Sequence, residues 1–231
     1  MDYSIGAALE AARDEMEIEV ATSPVQIREA QRLRYKVYCE ERDFLVGENE
    51  LEQDSFDPLS RHVLVRARAT GEVVGTVRVV LGKAEAGQSS FPMNKVCEQY
   101  VLAPLPAIAT GEISRFALTR DRPGVSAQAG ALMRIFLMRG LVTVSGLHDL
   151  THWCAIMESS MLRLLRATAI HFQHVGPAVE YHGTRQPAVG AISSVLGRIR
   201  NEKPEVWAFI SGNGTLWREA LAQPERVRRF G

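Results

Sequence analysis

The chain has few cysteines, no net charge and no long uncharged apolar run, and each shortage excludes something. Only three cysteines, Cys39, Cys97 and Cys154, stand among 231 residues. An odd number without close pairing excludes a disulfide scaffold, fits a reducing cytoplasm and leaves packing as the default role. No stretch approaches the roughly 20 uncharged apolar residues of an integral membrane span. Residues 1–19 are acidic and lack the apolar core of an export signal, which again points to the cytoplasm. Basic and acidic side chains balance at 27 each, so the basic excess of a nucleic-acid binder is missing. What is there is ordinary for a globular chain: 46% hydrophobic and 23% charged residues. That excludes disorder and fills the core of one large domain or two small ones.

The zero balance hides an asymmetry. Residues 1–60 carry 6 basic and 15 acidic side chains, residues 61–160 carry 11 and 7, and residues 161–231 carry 10 and 5. Either these parts neutralise one another in space, or the later parts offer a basic face to an anionic partner.

Patterning organises the chain without repeats or low-complexity runs. After an N-terminal segment over residues 1–22, in which Glu17–Ala21 alternates as a strand, Ser23-Pro24 opens a helix to about Arg42. Its buried face would hold Ile27, Ala30, Leu33, Val37 and Tyr38. Residues 43–60 are acidic and aperiodic and read as a mobile loop. His62–Ala69 and Glu72–Leu81 flank Thr70-Gly71 as a hairpin. Residues 82–110 hold at most a short helix near Asn94–Tyr100. Glu112–Thr119 is a strand. Ser126 caps a long helix to about Gly146, apolar all round except for Arg134 and Arg139 and therefore central. A strand over Thr151–Met157, a helix over Ser159–Ala169, an interrupted strand over Phe172–Tyr181, a helix over Ala191–Arg200 and a tail over 201–231 complete the chain. The order predicts a single α/β domain with a mixed central sheet and helices on both faces.

Two segments concentrate polar and aromatic side chains. One runs from Arg34 through Tyr38 and Phe44 to Glu52, Asp54 and Asp57. The other, residues 111–116, reads GEISRF. Strand alternation sends Glu112, Ser114 and Phe116 one way, and Ile113, Arg115 and Ala117 the other. Polar groups at the centre of a core strand need partners, which the loop carboxylates, Arg34 and Arg78 can supply. The set is either an ion-pair network that pins the loop or part of a site. Arg115 is expected to pair with at least one loop carboxylate. His148, His152 and Cys154 lack a fourth ligand, so no metal site is expected. Met133, Met138, Met157 and Met161 suit either the core or the wall of an acyl pocket.

In these residues the chain resembles the LuxI-type acyl-homoserine lactone synthases of the GNAT (N-acetyltransferase-like) fold. Their pattern has an arginine and an aromatic one turn apart, a second aromatic, Glu-x-Asp-x-x-Asp, a strand arginine and Glu-x-Ser-Arg-Phe. It falls on Arg34 and Tyr38, Phe44, Glu52, Asp54 and Asp57, Arg78, and Glu112, Ser114, Arg115 and Phe116. Tyr38 stands where Phe is usual, and Phe44 where Trp is usual. Over nearly the whole chain, the runs VYCEER, GEISRFAL, THWCAIME and VEYHGTRQP are similar to the PEP-CTERM/exosortase system-associated acyltransferases, which are related to the N-acyl amino acid synthases.

The resemblance implies a single GNAT-like domain that moves a long-chain fatty acyl group from an acyl carrier protein thioester to the amine of an amino acid or related small molecule. A coenzyme-A-dependent N-acetyltransferase and an inactive acyl-binding protein on the same fold are the alternatives. No cofactor would reside in the protein; acyl-phosphopantetheine or acyl-coenzyme A arrives as co-substrate. Glu52 is the implied general base and Glu112 the alternative, with Ser114 and Arg115 beside them. Arg34, Tyr38, Phe44, Asp54, Asp57, Arg78 and Phe116 would bind substrate. Attack of an amine on a thioester also needs a fixed donor for the oxyanion, best supplied by backbone N–H at a distorted point of the strand.

Coenzyme-A acetyltransferases usually carry Arg/Gln-x-x-Gly-x-Gly/Ala after that strand. Residues 120–126 read RDRPGVS here, so the motif is absent, consistent with a carrier-protein donor. The turn and the helix N-terminus behind it are expected to face the pantetheine arm, with Arg120, Arg122 and Gly124 in contact. Acyl carrier proteins are acidic, and Arg120 and Arg122 would receive one, with Arg134 and Arg139 on the long helix and Arg163 and Arg166 on the next as additions. The acceptor, the acyl length and the oligomeric state are left open.

Overall fold

The computed structural model describes residues 4–85, 90–98, 102–181 and 183–218. Its first element, α1 (Ile5–Glu15), lies inside the N-terminal segment, where the pattern marked no helix. The Ser4 hydroxyl caps it by accepting the Ala7 N–H at 3.3 Å, and Leu9 and Ala12 bury one side. Strand β1 (Met16–Val20) follows. Helix α2 (Pro24–Tyr35) starts at a reciprocal capping box: Ser23 Oγ accepts from Gln26 N at 3.2 Å, and Gln26 Oε1 from Ser23 N at 3.1 Å. The α-helix ends sooner than its periodicity suggests, because residues Lys36–Glu40 widen into a π-turn. Among the described residues the hairpin of β2 (Ser60–Ala67) and β3 (Val73–Leu81), the strand β4 (Thr110–Leu118), the long helix α3 (Ala127–Leu147), β5 (His152–Met157) and α4 (Ser159–Ala167) all fall where the pattern puts them.

The largest omission is β8 (Thr184–Ala191), which pairs along the whole of β5. Gly183, Pro187 and Gly190 hide it, since both residue types argue against a central strand. The interrupted strand reduces to β6 (Gln173–His174) and β7 (Val179–Glu180), each two residues long and each paired to β8. Helix α5 (Ile192–Glu202) is as expected, but α6 (Pro204–Ser211) occupies part of the presumed tail; residues 219–231 of that tail lie outside the described residues. Near Asn94 there is a 3-10 turn over Pro92–Lys95, and residues 99 and 100 of the helix expected there are likewise outside.

The sheet runs β1-β2-β3-β4-β5-β8-β6, antiparallel throughout except for the parallel pair β4–β5. Alternation along β2 separates its faces. Val63 and Val65 join the main core with α1, α3, α5 and α6, while Leu64 packs with Ala30 of α2 on the other side. Helices therefore cover both faces. Helix α3 is long and apolar enough to cross a membrane by length and composition, with Arg134 and Arg139 as its only charges. Here twelve of its 21 residues are buried in the core instead. At Gly140 the helix touches β2 so closely that an added Cβ would stand 2.1 Å from Val63 Cγ1.

Two departures from regular sheet create a cavity. Strand β4 pairs with β5 only over Thr110–Glu112, and beyond that the two strands part. On its other side β4 carries a bulge: Ser114 stands opposite Arg78 and Ala117 opposite Thr76, so Arg115 and Phe116 together face the single residue Val77. Arg115 sits there at φ 53°, in the left-handed region that a side chain of this size adopts only under constraint.

Candidate active site

The constraint on Arg115 is electrostatic. Its Nε donates to Glu52 Oε1 at 3.0 Å and its Nη2 to Asp54 Oδ2 at 3.1 Å, as expected for pairing with the loop. Two further arginines complete the cluster. Arg34 donates from Nε to Glu52 and grips Asp57 with both terminal nitrogens at 2.7 and 3.1 Å. Arg78 grips Asp54 with both of its own at 2.6 and 3.0 Å, reaches Asp57 at 3.0 Å, and gives its Nε to Ser114 Oγ at 3.0 Å. Three cations thus alternate with three carboxylates, and the side chains of Arg34 and Arg78 are wholly buried. Burial would raise Asp54 and Asp57, but the guanidinium bonds and charges of Arg78 and Arg34 reverse this and hold both below the usual carboxylate range. The loop over residues 43–59 gains its place through these bonds, because it has no helix or sheet ladder of its own beyond short turns.

The bulge overturns strict alternation. Ser114 and Arg115 both reach the ion cluster, and Glu112, Ile113, Ser114, Arg115 and Phe116 all line one cavity of about 410 Å³ between the parted strands. Tyr38 and Phe44 line it too. The Tyr38 hydroxyl donates to the Phe116 carbonyl at 2.9 Å, and burial lifts its pKa to about 12. Arg34, Glu52, Asp54, Asp57 and Arg78 do not reach the cavity; they stand behind Arg115 as its support. Most of the remaining wall is apolar, with Met138, Met157, Met161, Leu164, Leu165 and Phe172. Three of the four methionines singled out from the sequence are therefore in the wall. Met133 is core, packed beneath Gly75.

Glu112 differs from the other carboxylates. It is 3% exposed, faces the cavity, and accepts the Met93 N–H at 2.9 Å. Burial raises its pKa to about 8, only partly offset by that bond and by the charges of Arg78 and Arg115. Glu52, by contrast, has one oxygen on Arg34 and the other on Arg115.

The turn after β4 departs from expectation. Gly124, at φ 75°, packs against Ala69 and Thr70 rather than the cavity. Arg122 turns back, donating its Nε to the Thr119 carbonyl at 2.8 Å. Of the three, Arg120 is the most open, with its side chain 80% exposed and its Nε 3.9 Å from Glu41 Oε2. The N-terminus of α3 does not face an incoming arm freely. The Glu15 carboxylate accepts from Ser126 N at 2.6 Å and from Ser126 Oγ at 2.9 Å there. Much of the charge asymmetry is neutralised internally, since Arg66 pairs with Glu19 and Glu29, and Arg68 with Glu17. Among the described residues no group of three or more His, Cys, Asp or Glu is placed to hold a metal.

Sequence reasoning missed Arg42, Glu158, Tyr181 and Arg185 in the cavity wall and offered Arg134 only as an addition to the docking surface. Arg134 had a signal, as one of two charges on an apolar helix. Tyr181 and Arg185 lie in the run VEYHGTRQP that carries the second resemblance, but no spacing or periodicity marked them, because they flank the turn into β8.

We expect Arg115→Ala to lose far more activity than stability. Its loss leaves the cluster partly paired through Arg34 and Arg78, yet frees the bulge that shapes the cavity wall. Steady-state kinetics beside thermal melts check this; equal loss in both would mean that Arg115 only pins the loop.

Residues 33–127 match the family model described as an acetyltransferase (GNAT) domain. No curated protein sequence matches the chain. Among solved structures, the acyl-homoserine lactone synthase LasI is 19% identical, with a TM-score of 0.60 over 80% of this chain and 96% of that one. The coenzyme-A-dependent acyl-homoserine lactone synthase BjaI, solved with SAM and isopentyl-CoA, is 18% identical, with a TM-score of 0.58 over 85% and 98%. FeeM, an N-acyl amino acid synthase from uncultured soil microbes, is 13% identical, with a TM-score of 0.53 over 79% and 94%. At these identities the likeness is one of fold. The fold is the GNAT fold, and the match over residues 33–127 is to an acetyltransferase domain of that fold. Among its structural neighbours are synthases that make acyl-homoserine lactones and one that makes N-acyl amino acids.

Proposed function

We propose that the chain is an N-acyltransferase that moves a long-chain fatty acyl group from an acyl carrier protein thioester to the amine of an amino acid or a related small molecule. The observation that carries this reading is a buried carboxylate, Glu112, facing a mostly apolar cavity between parted strands. The methionine-rich wall suits a flexible acyl chain. The resemblance to PEP-CTERM/exosortase-associated acyltransferases supports a cytoplasmic bacterial enzyme with a long-chain donor.

In this reading Glu112, not Glu52, is the base. The amine nitrogen attacks the thioester carbonyl carbon, and the carbonyl oxygen takes up the negative charge. Glu112, directly or through one water, removes the proton from the nitrogen. Backbone N–H at the bulge, where β4 has no partner strand toward β5, stabilises the oxyanion. As the tetrahedral centre collapses, the C–S bond breaks and the thiolate takes the proton that Glu112 holds. A base with a pKa near 8 can both accept and return it. Glu52 fixes Arg115, and through it the wall.

The test is to incubate the protein with long-chain acyl carrier protein, or with the matching acyl-coenzyme A, and a pool of amino acids together with SAM, and to identify products by mass. No N-acyl product from either donor would sink the proposal. Arg120 offers a second check. Arg120→Glu should raise the KM for acyl carrier protein about tenfold at low salt and leave that for acyl-pantetheine unchanged, because only the protein partner feels an exposed surface charge. Parallel changes in both would mean that Arg120 takes no part in docking.

A further inference from the structure

Three guanidinium groups, two of them in the cavity wall, lie within electrostatic reach of one another, and among the described residues none of them pairs with a carboxylate. Arg42 follows the π-turn after α2, Arg122 lies in the loop after β4, and Arg134 projects from α3. Arg42 and Arg134 line the cavity. Arg122 lies against Gly130, where an added Cβ would stand 2.8 Å from its Nη1. The Nε of Arg134 is buried without a hydrogen-bond partner. Arg42 stands over the Phe44 ring at 5.8 Å from its centroid, and Arg122 bonds the Thr119 carbonyl through Nε. Arg134 feels the other two: burial first, then the charges of Arg122 and Arg42, lower its pKa. Like charges held this close are costly without a counter-ion.

An anion would ordinarily find a helix N-terminus nearby. Here the start of α3 already holds a carboxylate. The Glu15 carboxylate already accepts from Ser126 N and Oγ, and Ser126 Oγ accepts from Ala129 N at 3.2 Å. A second anion placed there would meet that carboxylate.

We propose that Arg42, Arg122 and Arg134 form a phosphate subsite at the cavity rim, which holds the single phosphate of a pantetheine arm while Glu15 bars a second phosphate from the start of α3. The subsite is thus built for phosphopantetheine and against the diphosphate of coenzyme A. This rests on the thioester-transfer reading for the identity of the arm, but its test does not need turnover.

The experiment is a calorimetric titration of the full chain with 4′-phosphopantetheine, pantetheine and coenzyme A. The parent should bind phosphopantetheine about tenfold or more tightly than pantetheine, as charge-assisted bonds to one phosphate allow. Arg134→Gln should abolish that preference. Arg42→Gln, at an exposed position that tolerates change, should reduce it several-fold. Coenzyme A should bind no more tightly than phosphopantetheine in the parent, and Glu15→Gln should improve coenzyme A alone. Equal affinity of the parent for phosphopantetheine and pantetheine overturns the subsite, as does a preference that survives both arginine variants. Tighter binding of coenzyme A by the parent overturns the role of Glu15. A parent that prefers phosphopantetheine but acylates no amine keeps the subsite and sinks the acyl-transfer reading. A parent that forms N-acyl product without any preference does the reverse.

Discussion

Glu112→Gln should lower turnover about 100-fold or more, the scale of lost general-base action, and at the same time make the protein more stable in alkali. The two effects share one cause. Burial lifts the Glu112 pKa from 4.5 to about 8. Between those values the folded chain keeps a proton that the unfolded chain has released. The stability linked to Glu112 is therefore full below about pH 4.5 and is lost as pH rises through about 8. Gln has the same size and cannot ionise, so the variant escapes that loss. At pH 9 its melting temperature should exceed the parent's by roughly 3 °C or more, since about 1 kcal/mol moves a domain of this size by 2–4 °C. The parent's rate should climb as pH passes about 8, and the variant's residual rate should lack that limb. Turnover between pH 6 and 9, measured beside thermal melts, checks both. Near-parental turnover would remove Glu112 from the chemistry and return attention to Glu52.

Arg34→Met should have the largest effect on stability. Its guanidinium is fully buried and holds Glu52 and Asp57 together. Met fills similar volume but leaves Glu52 to Arg115 and Asp57 to Arg78, each short of one guanidinium, and breaking a buried pair in this way costs about 3–5 kcal/mol. At 2–4 °C per kcal/mol the melting temperature should fall by roughly 10 °C. Arg34→Lys keeps the charge without the planar fork that grips Asp57, and should fall between the two. The gap between parent and Arg34→Met should narrow in acid. Asp57 titrates below its usual 3.8 in the parent, so the stability it lends is full above that value and lost as pH falls further. An unchanged melting temperature at pH 7 would show that the cluster adds nothing net.

Much of the fold was legible because periodicity and caps were strong. Ser23, Ser126 and the Thr70-Gly71 turn each mark an element edge that the structure keeps. Strand β8 was not, since Pro187 and Gly190 lie in a pairing dictated by its neighbour β5 rather than by local preference. The residues of the site were legible as a set: Arg34, Glu52, Asp54, Asp57, Arg78 and Arg115 do meet. Their division of labour was not. Alternation cannot foresee a left-handed Arg115, and spacing cannot tell a carboxylate spent on two arginines, Glu52, from one facing a cavity, Glu112. Arg42 was not singled out, and Arg134 was offered only for docking, for the same reason: residues brought to one cavity from separate elements leave no linear motif.

The bulge at Arg115 has a consequence for what the strand can specify alone. The partners that hold Arg115 at positive φ, Glu52 and Asp54, lie 63 and 61 residues earlier in the chain. Nothing within residues 110–118 demands the bend, and a side chain of this kind would relax to extended backbone if left to itself. The shape of the cavity is thus written in two distant stretches of sequence at once. A peptide or fragment that held β4 without the loop would recover a straight strand with alternating faces, and with it a different surface from the one the intact chain presents.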